Sequence, residues 1–276
     1  MNIQMITKML TDAGIEANEA KKEVEMLLEY FCGYTAKDKL MGKTLEESQL
    51  TLLKDKVLDR IGGRKPIQHI IGEAYFMGEF YKVNQNVLIP RDETEILVRK
   101  AIEIIKEEGI QEVLDIGTGS GCIACTIAKQ TKAVVLGVDI SSDALRVALD
   151  NVTKLGINNR AVFRKSNLFE KIREDEKFGM IVSNPPYIPY GTVLSPEVMH
   201  EPKEALFADE NGLKLYREIV QEAPKYLKAD GWLMFELGIN EAEAVKEFME
   251  KDFCNIVVEK DLVGIDRVIY GKIKRK

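Results

Sequence analysis

Apolar residues in the first 63 positions recur at three- and four-residue spacing, as in Val24, Leu27, Leu28, Phe31 and again in Leu50, Leu53, Val57, Ile61. That period is the signature of amphipathic helices. It predicts helices over 3–13, 19–34 and 45–61, closed by Gly14, Gly33 and the pair Gly62-Gly63. From 65 to 90 the pattern changes. Tyr75-Phe76 and Phe80-Tyr81 flank Met77-Gly78-Glu79, aromatic pairs around a glycine turn that predict a β-hairpin. Short apolar strands then alternate with helical stretches. Strands are expected at 112–116, 133–139, 161–165, 180–183 and 231–237, helices at 93–106, 122–130, 143–155, 212–227 and 241–251, and a closing antiparallel pair at 254–260 and 267–272. Alternation of this kind builds a mostly parallel, doubly wound α/β sheet. The expected organisation is a helical domain over 1–63, a hairpin linker over 64–90 and a catalytic α/β domain over 91–276.

Composition narrows the class without changing the fold. The chain has 276 residues, 45% hydrophobic and 30% charged, with a formal net charge of -6. This profile belongs to a globular protein, and its mild acidity argues against broad, sequence-independent binding of nucleic acid. No run of residues approaches the roughly 18 apolar positions of a membrane helix and the opening residues mix charge and polarity early, so a cytoplasmic protein is expected. Cys122 and Cys125 form a C-x-x-C, but a zinc ribbon would need a second pair, and the only histidines, His69 and His200, lie far off in sequence. No metal site is expected, and the two cysteines read as small helix residues, with a redox pair as the alternative.

In a doubly wound sheet the ligand lies beyond the carboxyl ends of the strands, where the strand order reverses. The first such loop is Gly117-Thr118-Gly119-Ser120-Gly121, whose glycines let a ligand approach the backbone. Cys122 occupies the place of the last glycine in the dinucleotide fingerprint G-x-G-x-x-G. That favours a mononucleoside over NAD. The next strand ends in Asp139, a carboxylate placed to accept the hydroxyls of a ribose. The third loop offers Asn167, an amide for an adenine edge, and Leu168, an apolar face to pack on it.

The fourth loop, after the strand at 180–183, is Asn184-Pro185-Pro186-Tyr187. Two prolines remove two N–H donors and hold the chain extended, which leaves carbonyls that no ladder consumes. With the Asn184 carbonyl and the Tyr187 ring, these make a set of acceptors beside a flat surface. A planar NH2 group matches it, one hydrogen to Asn184 and the other to the Pro185 carbonyl. Such a nitrogen is a poor nucleophile, and acceptors on its hydrogens favour the charge that builds on it during attack.

The segments DIGTGSG, VDIS and NPPY together resemble class I S-adenosylmethionine-dependent methyltransferases acting on planar nitrogens. Three further segments, VLIPRDETEILV, EPKEALFADENGLKLY and KDLVGIDRVIYGK, resemble the protein release factor glutamine methyltransferases. The resemblance runs from about Pro66 to Lys272. It implies a Rossmann-like sheet of seven strands with an antiparallel terminal hairpin. It implies S-adenosylmethionine as cofactor, with Gly117 to Gly121 along its methionine part, Asp139 on the ribose, Asn167 and Leu168 on the adenine, and Asn184 at the meeting of cofactor and target. It also implies methyl transfer to the glutamine amide in the GGQ loop of class 1 peptide chain release factors, with Asn184, Pro185, Pro186 and Tyr187 holding that amide. Asp92 stands where the family shows a second proline, and Glu241 where it usually shows glutamine. The rival readings are a methyltransferase of ribosomal-protein glutamine, one of exocyclic amines in DNA or RNA, and a non-catalytic cofactor-binding scaffold.

Overall fold

A computed structural model describes residues 2–275. Its chain divides into two compact units. One holds the residues up to Glu73 together with Leu194–His200; the other holds Ala74–Val193 and the residues from Glu201 on.

The first unit is helical: α1 (Ile3–Asp12), α2 (Ala17–Cys32), α3 (Ala36–Leu40), α4 (Glu47–Gly63) and α5 (Ile67–Ile71). Asn2 caps α1 by accepting from the Met5 N–H at 2.9 Å, and Thr35 with Asp38 forms a capping box on α3. The three- and four-spaced residues meet as predicted, with Ile6, Leu10, Val24, Leu27, Leu53 and Val57 all buried. In their midst lies Arg60, only 1% exposed. Its Nε bonds both oxygens of Glu23 at 3.0 Å, and its NH1 bonds Glu197 at 3.0 Å. A buried guanidinium without such partners would be costly. Burial pushes the Glu23 carboxyl up, against the opposing pull of Arg60.

This division departs from the expected boundaries in two places. The 65–90 stretch is not one linker: α5 buries Ile67 in the helical core, whereas the hairpin packs with the α/β unit. Residues 194–200, expected inside the catalytic domain, go with the helices because Glu197 answers the charge of Arg60.

The second unit begins within a hairpin of β1 (Glu73–Phe76) and β2 (Glu79–Lys82), at Ala74. Its turn is Met77-Gly78, both at positive φ, 52° and 90°, as a two-residue hairpin loop requires. There follow α6 (Thr94–Glu108), β3 (Glu112–Ile116), α7 (Cys122–Gln130), β4 (Val134–Asp139), α8 (Ser142–Leu155), β5 (Ala161–Lys165), β6 (Phe178–Ser183) and a short β7 (Ile188–Pro189). After α9 (Lys203–Leu206) and β8 (Phe207–Ala208) come α10 (Lys214–Glu222), β9 (Leu227–Glu236), α11 (Ala242–Met249), β10 (Phe253–Lys260) and β11 (Asp266–Ile273). The helix expected over 212–227 is shorter at both ends. Gly212 has φ +94° and cannot open it, and Pro224 turns its last residues into a 3-10 turn.

Seven strands form one sheet in the order β10-β11-β9-β6-β3-β4-β5, all running one way except β11, which is antiparallel to both β10 and β9. Strand order reverses between β3 and β6, which lie side by side with Ile116 opposite Ser183. The sheet is packed on both faces, by Leu97, Ile123, Ile127, Val135 and Met180 on one and by Leu114, Ile181, Ile219, Phe235 and Val245 on the other. Cys122 and Cys125 lie buried on α7, free of disulfides. Burial pushes the Cys122 thiol up to about 12, which leaves it inert as a nucleophile. Among the described residues no helix is long and apolar enough to cross a membrane.

Candidate active site

The loop after β3 is held from three directions. Gly117 and Thr118 both donate their N–H to the Val138 carbonyl, at 2.9 and 3.0 Å. The Thr118 hydroxyl donates to Asp115 at 2.6 Å, and the Gly119 N–H to Asp139 Oδ2 at 2.9 Å. Asn151, fully buried on α8, donates to the Ser120 carbonyl at 2.9 Å and to the Lys82 carbonyl at 3.0 Å, while accepting from the Lys82 N–H at 2.7 Å. That amide joins the glycine loop to the hairpin, a link that nothing in the local sequence signals.

Two glycines show why the loop admits no side chain. Gly121 has φ +77°, and a Cβ there would lie 3.0 Å from the Phe163 ring. At Gly137 on β4 a Cβ would sit 2.5 Å from the same ring and 2.7 Å from Thr118 Oγ1. At Gly117, φ +72°, the same construction meets open space. The loop is therefore tight underneath and open above.

Asp139 spends one lone pair of each oxygen on the protein, on Gly119 N–H and on Ser141 N–H at 2.8 Å. Burial raises its carboxyl from the ordinary value while the N–H groups of Ser141, Gly119 and Ile140 pull it down. The remaining lone pairs can accept two further hydroxyls. Asp115 behind it is fully buried and pushed up to about 7 by burial, the Asp139 charge adding to the rise. In the third loop the Asn167 amide is exposed and donates to Glu170 at 2.9 Å, while Leu168 takes φ +46° and is half-buried. The Ser166 hydroxyl organises this turn by donating to the Leu168 carbonyl at 2.8 Å and accepting from the Lys171 N–H at 3.0 Å.

The fourth loop leaves β6 at Ser183, whose buried hydroxyl donates to the Ile116 carbonyl at 2.8 Å. This pins the ends of β6 and β3 together, so Asn184 emerges beside the glycine loop. Asn184 donates through Nδ2 to the Thr94 hydroxyl at 3.2 Å. Its Oδ1 is the other end of the amide. Pro185 is buried, and Pro186 and Tyr187 are half-buried. The Tyr187 carbonyl is packed so closely on Gly212 that a Cβ there would stand 2.1 Å from it, and its ring lies against Gly238. Its hydroxyl reaches toward Glu236 at 3.5 Å, a long contact, and burial pushes the phenol well above its ordinary value.

Behind Tyr187 stand two buried carboxylates. Glu236, 1% exposed, is pushed up to about 7 by burial. Glu241, 8% exposed, accepts the Gly238 N–H at 2.8 Å and is also pushed up to about 7 by burial. Tyr216, buried beneath, donates to the Glu236 carbonyl at 2.8 Å. The other segments flagged in the sequence close the same end of the sheet. Glu201 accepts the Ile89 N–H at 2.8 Å and pairs with Arg91, so the IPR and EP segments meet. Arg267 bonds Asp261 at 2.9 Å, which joins the two ends of the KDL…DR segment. Sequence reasoning missed Thr94, Asn151 and Glu236. Of these only Thr94 lies inside a flagged segment, VLIPRDETEILV.

A sheet reversing at β3 and β6, a glycine loop and a terminal carboxylate on its two neighbouring strands match known proteins. Residues 93–262 fit the family model described as a methyltransferase small domain. The fold is shared with the 16S rRNA methyltransferase RsmC of T. thermophilus, solved in complex with AdoMet and guanosine, at TM-score 0.53 and 19% identity over 73% of this chain and 50% of that one. A methyltransferase from Pyrococcus furiosus gives TM-score 0.53 at 18% identity, covering 83% and 98%. The protein is thus an enzyme of the class I S-adenosylmethionine-dependent methyltransferase fold.

Sequence relatives carry the assignment further. The release factor glutamine methyltransferase of Geobacter sulfurreducens is 40% identical over 271 residues, covering 96% of this chain and 93% of its own. That of Bacillus subtilis is 40% identical over 280 residues, covering 96% and 94%. The chain belongs to the release factor glutamine methyltransferase family.

Proposed function

We propose that the enzyme methylates the side-chain amide nitrogen of the glutamine in the GGQ loop of class 1 peptide chain release factors. One observation carries this reading: Asn184 commits its NH2 end to Thr94 at 3.2 Å, which leaves its carbonyl end for an incoming donor. A glutamine amide brings two such donors. Asn184 Oδ1 would take one hydrogen and the Pro185 carbonyl the other, with the amide plane against Tyr187.

The open face above Gly117, the free lone pairs of Asp139 and the exposed third loop fit S-adenosylmethionine. Gly117 to Gly121 would hold its methionine part, Asp139 its ribose, and Asn167 and Leu168 its adenine. When bound, the cofactor supplies an electrophilic methyl group on sulfur. The chain's own residues do the rest. The two acceptors stabilise positive charge on the nitrogen as it forms its new bond to carbon, and one N–H proton is lost afterwards. Much of the remaining acceleration comes from holding the amide in line. No strong general base is needed next to the nitrogen.

The helical unit is the proposed recognition module for the release factor. Its exposed Leu40 and Met41, 89% and 73% accessible, offer apolar contacts. The test is transfer of labelled methyl from S-adenosylmethionine to a release factor, to its GGQ Gln-to-Ala variant and to duplex DNA. Label on the wild-type factor alone supports the reading. Label on DNA but not on the factor overturns it, and no label on any of the three, with the cofactor bound, favours a scaffold.

A further inference from the structure

Asn184 can serve as an acceptor only if its amide points the right way. The two ends of an asparagine side chain have nearly the same shape, and a flipped amide would present NH2 to the target's NH2. Something must fix the orientation. Asn184 itself is bonded to Thr94, which begins α6 and is 3% exposed. A threonine hydroxyl can donate one hydrogen or accept, so by itself it would tolerate either orientation of the amide.

The carboxylate of Glu236, at the end of β9, is near enough to Thr94 for the threonine hydroxyl to lower its proton affinity. Its carboxylate is 1% exposed, and its Oε2 is buried with no hydrogen-bond partner among the described residues. An ionised carboxylate only accepts. It therefore draws the single hydrogen of Thr94 toward itself and leaves the Thr94 oxygen able only to accept, which selects the NH2 end of Asn184. The same carboxylate, through Oε1, lies 3.5 Å from the Tyr187 hydroxyl. One buried charge thus stands behind both the acceptor and the ring of the proposed amide pocket.

We infer that Glu236, acting through Thr94, is the positioning residue that fixes the Asn184 amide with its carbonyl toward the methyl-accepting nitrogen. This inference rests on the reading of Asn184 as the acceptor. It also accounts for a buried oxygen that otherwise lacks a partner, since an orphaned buried acceptor persists only where something compensates its cost. The groups around Glu236 set its charge in opposing senses. Burial and the Glu93 carboxylate raise its proton affinity, whereas Thr94, Arg267 and Tyr187 lower it. The orienting effect belongs to the ionised form.

The test uses Glu236→Gln, Thr94→Val and Thr94→Ser in the full chain, with Asn184→Ala as reference. Glutamine at 236 can donate to Thr94, which frees the threonine hydrogen for the Asn184 carbonyl and permits the flip. Glu236→Gln is expected to lower kcat about tenfold to a hundredfold, with cofactor Kd unchanged. Thr94→Val should do the same, Thr94→Ser should restore kcat, and the double variant E236Q/T94V should be no worse than the worse single one. Wild-type kcat in E236Q and T94V, or losses that multiply in the double variant, would overturn the inference. If E236Q does not fold, the Thr94→Val and Thr94→Ser pair decides alone: loss with rescue supports it, and no loss overturns it. Asn184→Ala separates the two levels. If that variant keeps full turnover, the acceptor reading itself is wrong; if it is inactive while E236Q and T94V are normal, only the positioning role is.

Discussion

On the proposed cofactor side of the crevice most contacts are made by backbone N–H groups of two neighbouring loops, Gly117 to Gly121 and Asp139 to Ser141, several of them to the Asp139 carboxylate. On the acceptor side they are side-chain contacts gathered from positions 94, 184, 187, 236 and 241. The first side depends on glycines, because it must bring main-chain groups near a ligand, and Gly137 and Gly121 leave no room for anything larger. The second depends on buried polar groups whose directions must be fixed by other buried groups. Backbone geometry tolerates almost any neighbour that fits, whereas an oriented amide fails if one hydrogen points the wrong way. The acceptor side should accordingly be the more fragile in turnover and the cofactor side the more fragile in binding.

That contrast can be broken most sharply at Asn184. Asn184→Ala should lower kcat by about 10²–10³-fold or more while cofactor Kd, read by calorimetry, changes by less than about threefold; a large loss of cofactor affinity would move Asn184 to the other side. Next in size is Gly212→Ala. Its Cβ would stand 2.1 Å from the Tyr187 carbonyl oxygen at a φ of +94°, so a stability loss of about 4 kcal/mol in chemical denaturation and a fall in turnover are expected.

Asn151→Ala probes the cofactor side. Three hydrogen bonds disappear, one buried and two partly buried, for a loss of about 3 kcal/mol, and cofactor Kd should rise more than kcat falls. A smaller, pH-dependent effect follows from Asp115, Glu236 and Glu241, each raised by burial to about 7. In the unfolded chain these carboxyls lose their protons near the ordinary value of about 4. Between these values the folded state binds more protons, so stability should fall as pH rises from about 4 to about 7 and level off above. Thermal midpoints across that range check it, and Asp115→Asn should flatten the fall.

The smallest effect is expected at Glu241→Gln. Glutamine can still accept the Gly238 N–H that Glu241 accepts at 2.8 Å, so turnover should change by less than about twofold while part of the pH dependence of stability disappears. A large loss of turnover there would mean that the carboxylate itself serves the acceptor side.

The sheet was legible because its strands are short apolar runs whose ends carry the candidate site residues. Asp139, the glycine loop and Asn184 all sit at strand ends, where a linear pattern marks them. The helical unit was legible from spacing alone, as Val24, Leu27, Leu53 and Val57 demonstrate. What spacing could not convey was partnership over long separations. Glu197 belongs with Arg60 across 137 residues, Glu201 with Ile89 across 112, and Asn184 with Thr94 across 90. Glu236 falls inside the strand expected over 231–237. Its meaning came only from being buried beside Thr94 and Tyr187.

The most direct measurement is a peptide map of a class 1 release factor after incubation with the enzyme and S-adenosylmethionine, read by tandem mass spectrometry. The account predicts one added methyl group, on the side-chain nitrogen of the GGQ glutamine, present with the wild-type enzyme and absent with Asn184→Ala. A methyl group on any other residue, or the same yield from the Asn184→Ala enzyme, would contradict it.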